Sequence, residues 1–180
     1  VIRTFAIEPF KIPSGSMKPN LLVGDFLFVS KWDYGYSRYS FPFGLPPFKG
    51  KIFESNPERG DIIVFKLPGQ ENINYVKRLV GLPGETIKVV NGKIYLKTEN
   101  STDFEVLDQI EDGFFYDDQY GKEIQQLIEN EYRILNITND GPLDYTPEYE
   151  IPKDKFFFMG DNRDNSSDSR ILSGVGFVPK

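Results

Sequence analysis

Apolar residues along this chain come in short runs, cut apart by glycine, proline and asparagine, and several of the runs alternate with polar positions. That is the pattern of strands rather than helices. Phe5 to Ile12, interrupted by Pro9, predicts an edge or irregular strand. Phe26 to Lys31 predicts a short buried strand, and Ile62 to Leu67 another, stopped by Pro68-Gly69. Ile73 to Val80 predicts a third, closed by Gly81-Leu82-Pro83-Gly84. Val89-Val90-Asn91-Gly92-Lys93-Ile94 sets Asn-Gly between apolar runs, the strongest short hairpin signal. Glu123 to Glu131 is rich in helix formers and predicts a short helix. Tyr132 to Thr138 reads as a strand, and Phe156 to Met159 as a buried one leading into the polar run Gly160 to Arg170. Residues 32–50, dense in Tyr, Phe, Pro and Gly, predict a long aromatic loop or a hairpin standing away from the core. No stretch repeats. The pattern predicts one mainly β domain of 180 residues, large enough for a real core.

Composition sharpens this. With 39% hydrophobic and 15% aromatic residues, the chain has the material to fold. Its net charge of −6 is unevenly spread: residues 1–98 carry +6, residues 99–150 carry −13, and residues 151–180 carry +1. The acid therefore belongs to one middle segment, which reads as an insertion. An acidic chain with a pI near 4.8 is not built for general nucleic-acid binding. No apolar run is long enough to span a bilayer. The chain starts at Val1 rather than Met, which predicts a longer natural protein with the missing part N-terminal.

The absent residues decide the chemistry. There is no histidine and no cysteine, which removes Ser-His-Asp triads, cysteine nucleophiles, and zinc sites built on His or Cys. Pro13-Ser14-Gly15-Ser16-Met17-Lys18-Pro19 places two hydroxyls around a glycine between prolines, a turn suited to an exposed, held nucleophile. A serine here needs another base, and lysine is the available one. A free lysine titrates near 10.4, so a useful base must be desolvated, with no carboxylate beside it. With a period of two, Lys77 shares its face with Ile73, Tyr75 and Leu79, apolar on both sides. Lys31 and Lys66 end their strands and can reach water, and Lys18 lies in the turn beside the serine, where it is expected to be solvated. Parity favours Lys77. The run Gly160 to Arg170 fails as a calcium loop, because Arg163 breaks the acidic spacing and the final Glu is missing. It reads instead as a polar turn tied by its own charges, Asp161, Asp164 and Asp168 being met by Arg163 and Arg170. Arg59-Gly60-Asp61 runs straight into a strand and is read as a turn.

Taken together these stretches resemble type I signal peptidase, the bacterial leader peptidase. The motifs that carry the resemblance occur in order: Pro13 to Pro19, Gly24 to Lys31, Lys77 to Glu85, and Gly160 to Arg170. The resemblance implies an antiparallel β catalytic core from residues 1–85 and 153–180, an acidic β-rich insertion over 86–152, and a few short helices. It implies Ser16 as nucleophile, Lys77 as neutral general base, and an oxyanion hole from the Ser14 hydroxyl and the Ser16 backbone N–H. Ser166 would orient the lysine, with Asp161, Arg163, Asp168 and Arg170 supporting that turn. Phe10, Ile12, Met17, Leu21, Tyr75 and Val76 would line shallow pockets for a small-x-small (Ala-x-Ala) signal-peptide end. The implied protein needs no metal or cofactor and acts as a monomer on secretory preproteins. It does so at a membrane lipid surface, on the periplasmic face of the bacterial inner membrane. Asn20 and Glu85 depart from the usual Thr and Asp, and both bear on local turns. Two other classes compete: a self-cleaving Ser-Lys repressor, and a silent β module that binds a partner through residues 32–50.

Overall fold

The structure, a computed structural model, describes residues 7–30 and 57–180. Its centre is a hairpin of β3 (Ile62–Leu67) and β4 (Gln70–Gly81), in which Val64 faces Val76 and Ile63 faces Lys77. Leu67 pairs with Gln70, so Pro68-Gly69 forms the turn that the sequence predicts. β12 (Lys155–Met159) joins only the inner end of β4, setting Phe158 against Leu79 and Met159 against Arg78. β13 (Val178–Pro179) lies outside β12, giving the order β13-β12-β4-β3. Strand parity sends β4 and β12 side chains to opposite faces. Leu79, Phe156 and Phe158 pack with Leu67, Val175 and Val178 on one face. Val80, Phe157 and Met159 pack on the other, against Ile87, Val89, Ile94, Leu96, Tyr149 and Ile151. Each of these buried side chains contributes roughly 1.5–3 kcal/mol of hydrophobic stabilisation.

The partner of that second face is a sheet of β5 (Thr86–Val90), β6 (Lys93–Lys97), β7 (Glu105–Val106) and β11 (Tyr149–Glu150), in the order β11-β5-β6-β7. Val90 pairs with Lys93, and Asn91 and Gly92 take φ of 53° and 71° between them. This is the primed two-residue turn expected of Asn-Gly. A third sheet has the order β10-β9-β8, built from β8 (Gln109–Asp117), β9 (Lys122–Glu129) and β10 (Tyr132–Asn136).

Two expectations need correction. The segment from Glu123 to Glu131 is not a helix. It supplies most of the central strand β9, hydrogen-bonded on both sides, with Ile124, Leu127 and Glu129 buried. Helix propensity amounts to a few tenths of a kcal/mol per residue, and two ladders plus burial override it. A sign of this was Asn130, which takes φ of 56° in the turn joining Glu129 to Tyr132. The strand β2 (Phe26–Ser30) exists, paired with β1 (Ile7–Lys11), but it is not buried: Phe26 is 70% and Phe28 77% exposed. Leu27 turns inward, joining Phe10, Leu21 and Val64 around Ile12, Met17 and Val76. The short helices described are 3-10 turns at Gly15–Met17 and Arg163–Asn165. Among the described residues no helix is long and apolar enough to cross a membrane. Lys31 and the aromatic stretch 32–50 lie outside the described residues.

Candidate active site

The Ser16 turn sits where the three motifs predicted to matter converge. Prolines at 13 and 19 bound it, and Gly15–Met17 forms a single 3-10 turn whose Met17 side chain is wedged into the Ile12–Val76 cluster. Ser16 is thereby fixed from below. Ser16 Oγ and Lys77 Nζ are 2.5 Å apart, although 61 positions separate them in sequence. Ser14 Oγ lies 3.3 Å from Ser16 Oγ. Lys77 is buried, and the Tyr75 ring centroid lies 5.4 Å from its nitrogen. Burial is the main influence on the amine and lowers its pKa from 10.5 to about 8. The charges of Asp168 and Asp161 pull the other way without overcoming it. No carboxylate contacts the amine among the hydrogen bonds and ion pairs described. Lys66, by contrast, is exposed.

The polar run from Gly160 closes the site from the other end of the chain. Asn162 N–H donates to Ser16 O at 3.0 Å, and Asn162 Nδ2 donates to Gly15 O at 3.1 Å. Asn162 thus grips the Ser16 turn by two carbonyls. Gly160 lies so close that a Cβ there would fall 2.6 Å from Ser16 O and 2.2 Å from Ser166 Oγ. Glycine is needed for that approach. Ser166 is buried beside it; its Oγ makes no well-formed hydrogen bond, though it acts on the Asp168 carboxylate. Neither Gly160 nor Asn162 stood out individually in the sequence; their only signal was membership of the run.

The run is not tied by its own charges, as the sequence suggested. Only Asp168 and Arg170 pair locally, through Nε and Nη2 at 2.9 Å each. Asp168 is buried, which works to raise its pKa, yet Arg170 outweighs this and holds the carboxyl below its ordinary value. Asp161 instead accepts two parallel bonds from Arg78, at 2.7 and 2.6 Å, and a third from Asn20 Nδ2 at 2.7 Å. Asn20 also donates to Arg133 O at 2.7 Å, so this departure from the usual Thr has a structural task. Arg163 reaches across to Glu129 on β9, a fully buried carboxylate. Asp164 accepts from the backbone N–H of Ile137 at 2.7 Å. Glu85, the other departure, pairs with Arg59 at 2.7 Å and caps Leu82 N–H at 2.7 Å. This accounts for Arg59-Gly60-Asp61 as a structural turn.

Lys18 is not solvated. Its side chain runs beneath Gly15 and its ammonium is held by both oxygens of Asp117, at 2.8 and 3.0 Å. Both residues are buried. Sequence spacing could not pair them, because Asp117 is one of fifteen acids in the segment that supplies it.

An open cleft of about 1070 Å³ passes over Ser14, Ser16 and Lys77. Of the expected pocket residues, Ile12, Met17, Tyr75 and Val76 line it. Phe10 and Leu21 do not; they pack behind Ile12 and Met17 and hold them in place. From Asn74 to Val76, β4 pairs with β3 on one side, and no strand among the described residues pairs with its other edge. The cleft runs along that part of β4.

A model of the signal peptidase family, peptidase S26, matches residues 1–180. The chain belongs to this family. Signal peptidase I of Rickettsia typhi is 40% identical over 190 residues, covering 99% of this chain and 69% of its own length. Signal peptidase I of Rickettsia canadensis is 38% identical over 191 residues, with the same coverage. A solved signal peptidase I from Enterococcus faecalis is 26% identical, with a TM-score of 0.41 over 69% of this chain and 91% of that one. The family match and the relatives, rather than that partial superposition, carry the assignment. By membership the chain is a serine endopeptidase.

Proposed function

We propose that this chain removes signal peptides from secretory preproteins by a Ser16–Lys77 dyad. The observation that carries the proposal is the 2.5 Å approach of Ser16 Oγ to a buried amine whose pKa is lowered to about 8, in a chain with no histidine. The neutral amine accepts the Ser16 proton as Oγ attacks the scissile carbonyl. The ammonium then gives that proton to the departing nitrogen, leaving an acyl-serine. Water, activated by the same amine, releases the acyl group and frees Ser16. The Ser14 hydroxyl and the Ser16 backbone N–H stabilise the oxyanion. Ser166 hydroxyl, buried without a well-formed hydrogen bond, is available to the amine, and the pairs of Asp161, Arg163, Asp168 and Arg170 keep that wall rigid. The signal-peptide end adds as an extended strand along the open edge of β4, and small residues of an Ala-x-Ala type site meet the shallow wall of Ile12, Met17, Tyr75 and Val76. Leu22 and Val23, exposed on the cleft lining, and Phe26 and Phe28, exposed on the strand that follows them, would rest on the membrane surface that presents the substrate.

The test is cleavage of a synthetic Ala-x-Ala signal peptide in detergent. Ser16→Ala and Lys77→Met are each expected to lower kcat by a factor on the order of 10²–10⁴ or more. The rate of the unaltered chain rises with pH through about 8. If either variant cuts normally, or if the rate stays flat to pH 10, the dyad is wrong.

A further inference from the structure

The acidic segment reaches the cleft. Phe115, Tyr116, Asp118, Gln119 and Tyr120, at the tip of the β8–β9 hairpin, line the same cavity as Ser16, and nothing in the proposed chemistry uses them. The tip is a built turn. Buried Asp117 accepts Gln119 N–H on its carboxylate at 2.9 Å, and its carbonyl accepts Tyr120 and Gly121 N–H at 3.2 and 2.8 Å. Two links fasten the turn to the catalytic motifs: the Lys18–Asp117 pair, and a 3.2 Å bond from Asn165 Nδ2 to Tyr120 Oη. A solvent-facing turn has no structural need for a buried ion pair with the residue two places beyond the nucleophile. An element that must keep a fixed distance from Ser16 does.

We infer that this tip is the leaving-side wall of the cleft, contacting the first residues of the mature chain, and that Asp118 makes it favour a cationic side chain there. The inference rests on the proposed function for the direction of the substrate. A chain laid along the open edge of β4 brings its scissile carbonyl to Ser16, and the residues beyond the cut continue past Lys18 towards the tip. The two lysines on the cleft lining are committed: Lys18 is neutralised by Asp117, and Lys77 faces Ser16. Asp118 is exposed, lines the cavity, and has no ion pair among those described. Lys18 and Asp117 act as positioning residues, setting where the wall stands.

The experiment compares kcat/KM for peptides that share one Ala-x-Ala end and differ only in the second residue after the cut: Lys, Ala or Glu. The unaltered chain is expected to prefer Lys to Glu, and Asp118→Asn to shrink that preference about two- to five-fold, the range of an exposed charge pair. Raising the salt should shrink it similarly. Tyr120→Ala should raise KM for all three peptides with kcat little changed. Lys18→Met should blunt discrimination after the cut, and Lys18→Arg should restore it, which a merely structural loss would not do. Asp118 and Tyr120 are exposed, so their variants keep the test valid if Lys18→Met folds poorly. Unchanged ratios in Asp118→Asn together with an unchanged KM in Tyr120→Ala, or altered selectivity only before the cut, would overturn the inference while leaving the dyad standing. If the unaltered chain cuts none of the peptides, the reading beneath it fails as well.

Discussion

Two lysines flank Ser16, both buried, and the molecule treats them in opposite ways. Lys18 meets both oxygens of Asp117, at 2.8 and 3.0 Å. Lys77 meets a hydroxyl and an aromatic ring, with no carboxylate in contact, and burial draws its pKa down to about 8. Burial alone therefore does not make a base. The partner decides whether the cost of burying a charge is cancelled or left to push the proton off. The same turn carries both outcomes, a lysine paired for anchoring and an amine left without a carboxylate in contact.

The contrast can be broken most sharply through stability. For Lys77 the folded pKa lies below the unfolded one, so below pH 8 both states are charged and the fold bears the full penalty. Between about 8 and 10.5 the unfolded state holds more protons and stability rises with pH. Lys77→Met should accordingly raise stability at neutral pH by about 3 kcal/mol, and the gain should vanish above about pH 11, as read by denaturant titration across pH. Lys18→Met should do the reverse, costing about 1–3 kcal/mol, because it strands the Asp117 carboxylate. That carboxylate is inaccessible, yet it sits in a thin hairpin, so the loss falls short of that for a pair in the deep interior. If the two variants shift stability in the same direction, the contrast is wrong. The smallest effect expected is on the pH profile. Asp168 raises the Lys77 pKa, so Asp168→Asn should move the rising limb of activity to lower pH, as measured by kcat/KM in any variant preparation that remains folded.

Legibility in the sequence divides the same way, between local and distant partners. Period-two parity favoured Lys77 as a buried lysine because its neighbours Tyr75 and Leu79 are two residues away, and Asn91-Gly92 announced its hairpin because the turn is self-contained. The charge partners were not legible. Arg163 pairs with Glu129 and Asp161 with Arg78, 34 and 83 positions apart, while composition shows only that opposite charges exist. The β9 strand was missed for a related reason: its residues favour a helix when isolated, and only the strands on either side make it extended. Lys18 was misjudged because its partner lies 99 positions away.

The length of β4 has one more consequence. Its exposure changes abruptly along the strand, from exposed residues through Asn74 to buried ones from Val76 onward, and Lys77 stands just inside the boundary. The amine is dry by a narrow margin. A peptide laid on the open edge would extend that shelter outward, so the substrate itself would help strip water from the Lys77 amine. Once bound, the enzyme should be ready at a lower pH than when empty, with the limb of kcat lying below that of kcat/KM.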